Sequence, residues 1–196
     1  VVSEKVPPFA VRVGGILLPK PISGHPALEL CNTVAGWDDP PEHRKEWLTT
    51  PAHFATWASF TGLIGKRQHV DDTVLAELRE LRAVAYRLLR HRDETAFPSL
   101  ARYADDANAH TALTRADDGS VSFTLTQDDP VHAAALAVVD LLGRPERNTV
   151  RACPGEGCGW LFLDPRGRRV WCSMAACGNR MKVRAHAARK RHGPMP

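Results

Sequence analysis

Apolar residues recur at intervals of three and four through most of this chain and alternate over a few short runs, which predicts a mainly helical fold with occasional strands. The clearest stripe is Leu75, Leu78, Leu81, Ala85, Leu88 and Leu89, a helix capped by Asp71 or Asp72 and running to about Arg92. Its Glu77, Arg79, Glu80, Arg82, Arg87 and Arg90 mix both signs and read as a solvated face. A helix starts at Thr50-Pro51, the threonine as N-cap, and carries Phe54, Trp57 and Ala58 until Gly62 and Gly65 end it. Another follows Pro98 through Leu100, Tyr103, Ala104, Ala107 and Leu113, and a further one is capped by Asp129, has Pro130 in its first turn, and stops at Gly143 and Pro145.

The run from His25 to Val34 also begins a helix. Asn32 is polar within it and must find partners when buried, which reads as a core asparagine tying down a loop, with a ligand or inter-domain contact as the functional alternative. Val11 to Leu18 suits a strand with Gly14-Gly15 as a bend or bulge, and Val121 to Leu125 alternates as a strand whose hairpin partner ends near Arg115.

Chemistry concentrates in the last quarter. Cys153 and Cys158 are separated by four residues, and Cys172 and Cys177 repeat that gap after thirteen more. Two short-spaced pairs can converge as four thiolates on a tetrahedral ion, so Cys153, Cys158, Cys172 and Cys177 are expected to bind structural Zn²⁺ with no open position for substrate. Trp160 to Leu163 supplies a strand after the first pair, and Asp164-Pro165-Arg166-Gly167 a turn. Cys31, within a largely apolar stretch, reads as an inert core thiol. After the second pair, Asn179 is expected to cap a helix from Arg180 to about Arg191, with Met181, Ala185 and Ala188 resting on the hairpin and Arg180, Lys182, Arg184, Arg189, Lys190 and Arg191 on the other sides.

The string Trp171-Cys172-Ser173-Met174, followed by Cys177-Gly178-Asn179-Arg180 and Lys182, resembles the CGNR zinc finger, a bacterial module usually preceded by an ABATE domain. The segment 25–34, ending Asn-Thr-Val, resembles the opening of that domain. The resemblance implies a stress-linked transcription regulator with a zinc-ribbon-like, nucleic-acid-binding end. Val170 departs from the pattern by separating Arg168-Arg169 from Trp171, and Pro165 stands near an expected serine.

Charge adds to the picture. The chain of 196 residues has a formal net charge of +4. Residues 147–196 hold eleven Arg and Lys against Glu156 and Asp164, a net of +9 that leaves −5 on the first 146 residues. Such segregation is the electrostatic footprint of a nucleic-acid surface, with Arg166, Arg168, Arg169, Arg180, Lys182 and Arg184 as the expected contacts. The expected fold is therefore α+β: a mainly α-helical domain over residues 1–146 with short strands, then a zinc-ribbon-like β-hairpin plus helix over 147–196.

DNA is the expected partner, in a regulator whose N-terminal domain senses a small molecule or forms a homodimer. RNA binding through stacked tryptophans, or a zinc-stabilised protein-interaction module, are the alternatives. No phosphate-cradling glycine loop, nucleophile elbow or His-Glu metal motif is present, so an enzyme is not expected. Without a membrane-length apolar run or a signal-like N-terminus, a cytoplasmic location is expected. Two weaker constellations remain: Trp37, Trp47 and Trp57 as pocket walls, more simply core, and Asp105, Asp106, Asn108 and His110 as metal ligands, disfavoured because adjacent residues leave a helix in different directions.

Overall fold

The computed structural model describes residues 6–65 and 70–191. Strands β1 (Ala10–Val13) and β2 (Ile16–Pro19) form a hairpin in which Val13 faces Ile16. This corrects the single bent strand. Gly14 and Gly15 both have positive φ, at 54° and 83°, the backbone that a two-residue hairpin turn needs and that glycine reaches without steric cost.

Helix α1 (Pro26–Cys31) follows, capped by His25, whose Nδ1 accepts from the Ala27 N–H. Strands β3 (Val34–Ala35) and β4 (Lys45–Glu46) pair across the intervening loop. Helix α2 (Pro51–Thr61) starts where expected, with the Thr50 side chain accepting from the His53 N–H and Gly62 closing the C-terminus at φ 73°. Helix α3 (Asp72–Tyr86) is capped by Asp71 and runs on through a π turn at Arg87–His91, so the helical path to Arg92 is right but its last turn is wider than an α-helix.

Helix α4 (Phe97–Ala109) stops earlier than its apolar pattern suggested. Leu113 belongs instead to strand β5 (Thr111–Arg115), where it faces Phe123 of β6 (Val121–Leu125). The two side chains are 64% and 72% exposed, so this pair contributes no core and had imitated the helical stripe by chance spacing. Helix α5 (Pro130–Gly143) is capped by Asp129, which accepts from the Val131 and His132 N–H groups.

Strands β7 (Val150–Ala152) and β8 (Leu161–Leu163) make the C-terminal hairpin, a π turn follows at Met174–Gly178, and α6 (Asn179–Arg191) closes the described chain. Among the described residues the strands thus form four separate antiparallel pairs between helices, an α+β fold.

Helix α3 packs against α1, α4 and α5, and α5 against α1 and α4. Phe54, Trp57, Leu78, Leu81, Leu100, Val138 and Leu141 are fully buried in this core, which Leu161 of β8 also enters. The finger is therefore built onto the helical domain. Arg82, expected on the solvent face of α3, is turned inward instead: its guanidinium donates to Thr33 Oγ1 at 2.7 Å and to both Glu46 carboxylate oxygens at 2.9 and 2.5 Å. A buried charge needs such a paired partner, and Glu46 supplies it from β4. No helix among the described residues is long and apolar enough to cross a membrane.

Candidate metal centre and nucleic-acid interface

The hairpin and the second π turn bring the four finger cysteines together. Cys153 leaves the end of β7, and its N–H donates to the Trp160 carbonyl at 2.8 Å, so the Pro154–Gly159 loop is closed as a knuckle. Cys172 precedes the π turn, and Cys177 lies inside it. All four are buried and none is in a disulfide. Their sulfurs lie within 4.8 Å of one another, with Cys158–Cys172 at 3.7 Å and Cys172–Cys177 at 3.5 Å. A tetrahedron with metal–sulfur bonds of about 2.3 Å has edges of about 3.8 Å, so the donor set fits such an ion.

Ionisation gives the same answer. Cys153 is pushed far down because its thiolate accepts S–H bonds from Cys158, Cys172 and Cys177, whereas Cys158 and Cys172 are pushed far up, chiefly by their bonds to Cys153. Cys177 is lowered as well, so the four sulfurs share their protons unequally. Four thiolates at these distances need a cation among them, and the four sulfurs can hold one.

The surroundings close the centre. Trp47, Trp160 and Phe162 pack in the same apolar cluster as the cysteines, and Trp171 covers it from outside. The guanidinium of Arg180 donates to Cys177 Sγ at 3.4 Å and to the Glu156 carbonyl at 2.8 Å, linking the helix to the first knuckle. At Gly178 an added Cβ would stand 2.8 Å from the Met174 sulfur and 3.2 Å from Trp171, so glycine is what lets the π turn fold under that tryptophan.

The expected basic residues separate into three groups. Arg166 and Arg168 are exposed on the turn after β8, which Asp164 holds by accepting from the Arg168 and Arg169 N–H groups at 2.9 and 3.2 Å. Arg169 is half-buried: it donates to the carbonyls of Trp171 and Cys172 and lies 4.2 Å over the Phe162 ring, and burial lowers its pKa. Arg180 and Arg184, one turn apart on α6, are both engaged by Glu156, Arg184 through an ion pair with its carboxylate. Lys182 stands exposed on the same helix.

Helix α6 itself departs from the expected packing. It begins beyond the extended Ser173, so Asn179 lies within helical geometry rather than capping it. From 179 to 190 only Met181 and Ala188 are half-buried, and Ala185 is exposed. The helix leans mainly on the π turn from which it grows.

Asn32 holds the finger to the rest of the chain. Its amide donates to the Leu161 carbonyl at 2.8 Å and accepts from the Leu161 N–H at 2.7 Å, both buried. The core and inter-domain readings of this residue are one and the same. Around it, Gly36 N–H donates to the Cys158 carbonyl at 2.8 Å, Trp160 Nε1 to the Val34 carbonyl at 2.9 Å, and the Tyr86 hydroxyl to the Gly159 carbonyl at 2.9 Å.

The weaker constellations resolve differently. Trp37 stacks on Tyr86, with ring centroids 4.2 Å apart, Trp57 is core, and Trp47 lines a cleft. Asp106 and His110 do meet, joined by His132 of α5, while Asp105 and Asn108 stay outside the group. His132 is taken up by Asp106 at 3.0 Å, and His110 Nδ1 bonds to the Asp106 carbonyl at 2.8 Å. These groups satisfy one another at the surface.

Two family models match the chain. Residues 24–145 match the ABATE model, described as "Putative stress-induced transcription regulator", and residues 149–190 match the CGNR zinc finger. The chain belongs to the ABATE family and ends in a CGNR zinc finger. No curated protein matches it.

Proposed function

We propose that this protein is a DNA-binding transcription regulator in which Zn²⁺, held by Cys153, Cys158, Cys172 and Cys177, fixes the hairpin against α6. The observation that carries this reading is the exposure of α6. A basic helix of 13 residues, about 20 Å long at 1.5 Å per residue, is exposed along nearly its whole length and has the dimensions to enter a major groove.

The second contact surface is the turn after β8. Arg166 and Arg168 border a groove of about 520 Å³ whose floor includes Trp171 and Met174, a shape suited to a sugar–phosphate strand with its charge on the arginines. Lys182 extends the positive face along α6. Arg169 acts as a positioning residue for the metal loop, and Arg180 and Arg184 reach nucleic acid only by leaving Glu156. The boundary between the two functional units falls near residue 147, within the Pro145–Thr149 turn.

The RNA alternative rests on tryptophan stacking. Trp160 is buried with its N–H engaged, and Trp171 is half-buried over the metal centre with only its groove side open, so the two do not form a stacking platform. A binding protein fits better than an enzyme, because four sulfur ligands leave no coordination position for substrate. Regulation, rather than mere binding, is supported by the ABATE match.

The test is a salt titration of duplex binding. Log affinity should fall linearly with log salt, and Arg166→Ala with Arg168→Ala should flatten the slope by about 0.9 for each phosphate that is no longer neutralised. A double mutant that keeps its metal and its slope overturns the reading. Tighter binding to single-stranded RNA than to duplex DNA would transfer it to RNA.

A further inference from the structure

A cleft of about 630 Å³ lies between the two parts of the protein, where Pro8 and Phe9, just before β1, and the β4 segment face the finger. Its apolar surface comes from Phe9 and Trp47 on one side and from Trp160, Ala176 and Val183 on the other, and at its base it opens onto Cys158, Cys172 and Cys177 of the metal centre. That volume and lining suit a small organic molecule. Phe9 and Trp47 meet edge to face, with centroids 6.0 Å apart, and present a corner into which a flat ring can be set.

The polar groups of the cleft favour one sign. Lys45, His43, Arg180 and Arg184 line it, against Asp39. Lys45 Nζ sits 4.4 Å over the Trp47 ring, an exposed cation held at the apolar wall. Trp47 Nε1 is buried and has no hydrogen-bond partner among the described residues, in a side chain only 6% exposed. A buried N–H of this kind is destabilising until an acceptor reaches it.

On α6, the Arg184 guanidinium is already answering an anion, while Arg180 is held by a backbone carbonyl and a cysteine sulfur. Arg184 pairs with the Glu156 carboxylate, and Arg180 donates to the Glu156 carbonyl. Glu156 is thus an internal competitor for any acid that enters.

We infer that this cleft is a binding site for a small aromatic carboxylate, its ring held between Phe9, Trp47 and Val183 and its carboxylate taken by Lys45 and by Arg184 released from the Glu156 carboxylate. Binding there ties α6 to the β4 segment of the ABATE domain. The site needs no nucleic acid, so it can be tested apart from the proposed DNA contact.

The experiment uses the metal-loaded full chain and 1-naphthoate as probe, with its neutral isostere 1-naphthamide, read by isothermal titration and tryptophan fluorescence. Naphthoate should bind saturably and at least about tenfold more tightly than the amide, the weight of a charge-assisted contact. Val183→Glu puts a carboxylate in the cleft at a position 68% exposed, so the fold should tolerate it while naphthoate affinity drops about tenfold or more. Lys45→Gln should weaken naphthoate and leave the amide unchanged. Glu156→Gln should tighten it by removing the competitor.

Equal affinity for acid and amide overturns the anion assignment. Unchanged affinity in Val183→Glu overturns the location, and the absence of saturable binding of either probe overturns the site. Metal content measured on each variant separates these outcomes from loss of the finger.

Discussion

Asn32 and Leu161, 129 residues apart, exchange two buried hydrogen bonds as if the asparagine side chain were one residue of a β-strand. The amide copies the donor and acceptor of a peptide group, so the end of α1 is paired to β8 without a third strand. Asn32→Ala would leave both the Leu161 N–H and C=O buried and unmatched. Each such group costs about 1–3 kcal/mol, so denaturant unfolding should show a loss of about 2–4 kcal/mol. Asn32→Asp should also destabilise, since a carboxylate can accept from the Leu161 N–H but cannot donate to its carbonyl. A loss under about 1 kcal/mol for the alanine variant would mean that water replaces the amide.

Metal and order in the finger should be lost together. Cys172 lies 3.7 Å from Cys158 and 3.5 Å from Cys177, so Cys172→Ser should empty the site and disorder residues beyond β7. Elemental analysis and amide exchange of the C-terminal quarter are the readouts. Cys31→Ser should keep full metal content.

At Gly178 the sign of a substitution can be isolated. Gly178→Ala presses a methyl against the Met174 sulfur and Trp171, and overpacking of this size costs about 1–3 kcal/mol. Because Met174 is the nearer neighbour, adding Met174→Ala should recover much of the loss. If the double variant is no more stable than Gly178→Ala alone, Trp171 is the obstacle.

Arg82 should behave as a buried ion rather than as helix surface. Arg82→Ala removes the nearer of the two cations at Glu46, leaving Arg79 at 3.8 Å, and the donor to Thr33, and breaking such a largely buried pair costs about 3 kcal/mol. Arg184→Ala, which breaks the exposed pair with Glu156, should change thermal stability by less than about 1 kcal/mol. Similar losses for both would refute the distinction.

Burial pushes the Cys31 thiol up from its ordinary 9.0 to about 12, partly opposed by the charge of Arg82. The unfolded chain therefore releases this proton first as pH rises. Stability that is complete below pH 9 should fall between about 9 and 12, by at most about 1.4 kcal/mol per pH unit from this residue. Cys31→Ala should flatten that part of the stability–pH curve. An alkaline limb with the same slope in the variant would show that another group titrates there.

Local signals were the legible ones. Thr50-Pro51, Asp71 and Asp129-Pro130 cap their helices by contacts within three residues, and the cysteine spacing marks a metal site because each pair closes its own short turn. Leu113 misled because a strand residue at the surface can fall on a helical interval. The π turn at Met174–Gly178 was hidden, since Gly178-Asn179 imitates a helix start while the chain has already turned at Ser173. Long-range partners left no trace: nothing near Asn32 names Leu161, nothing near Arg82 names Glu46, and Glu156 shows its hold on α6 only when the knuckle is folded beside it.

For the proposed nucleic-acid-binding role, the anchoring of β8 by Asn32 sets a limit on how a long polymer would be read. A finger on a loose tether can swivel to find its groove, and a pair of them can adjust to different spacings between half-sites. Here the hairpin is bonded to α1, to the loop after it and to Tyr86, so the basic helix projects from a base that cannot turn separately. In a two-fold assembly, the distance between the two projecting helices would be set by how the N-terminal domains meet. The permitted spacing of target sites would then be written in a surface that never touches the polymer, and altering that surface would change the address without altering the reader.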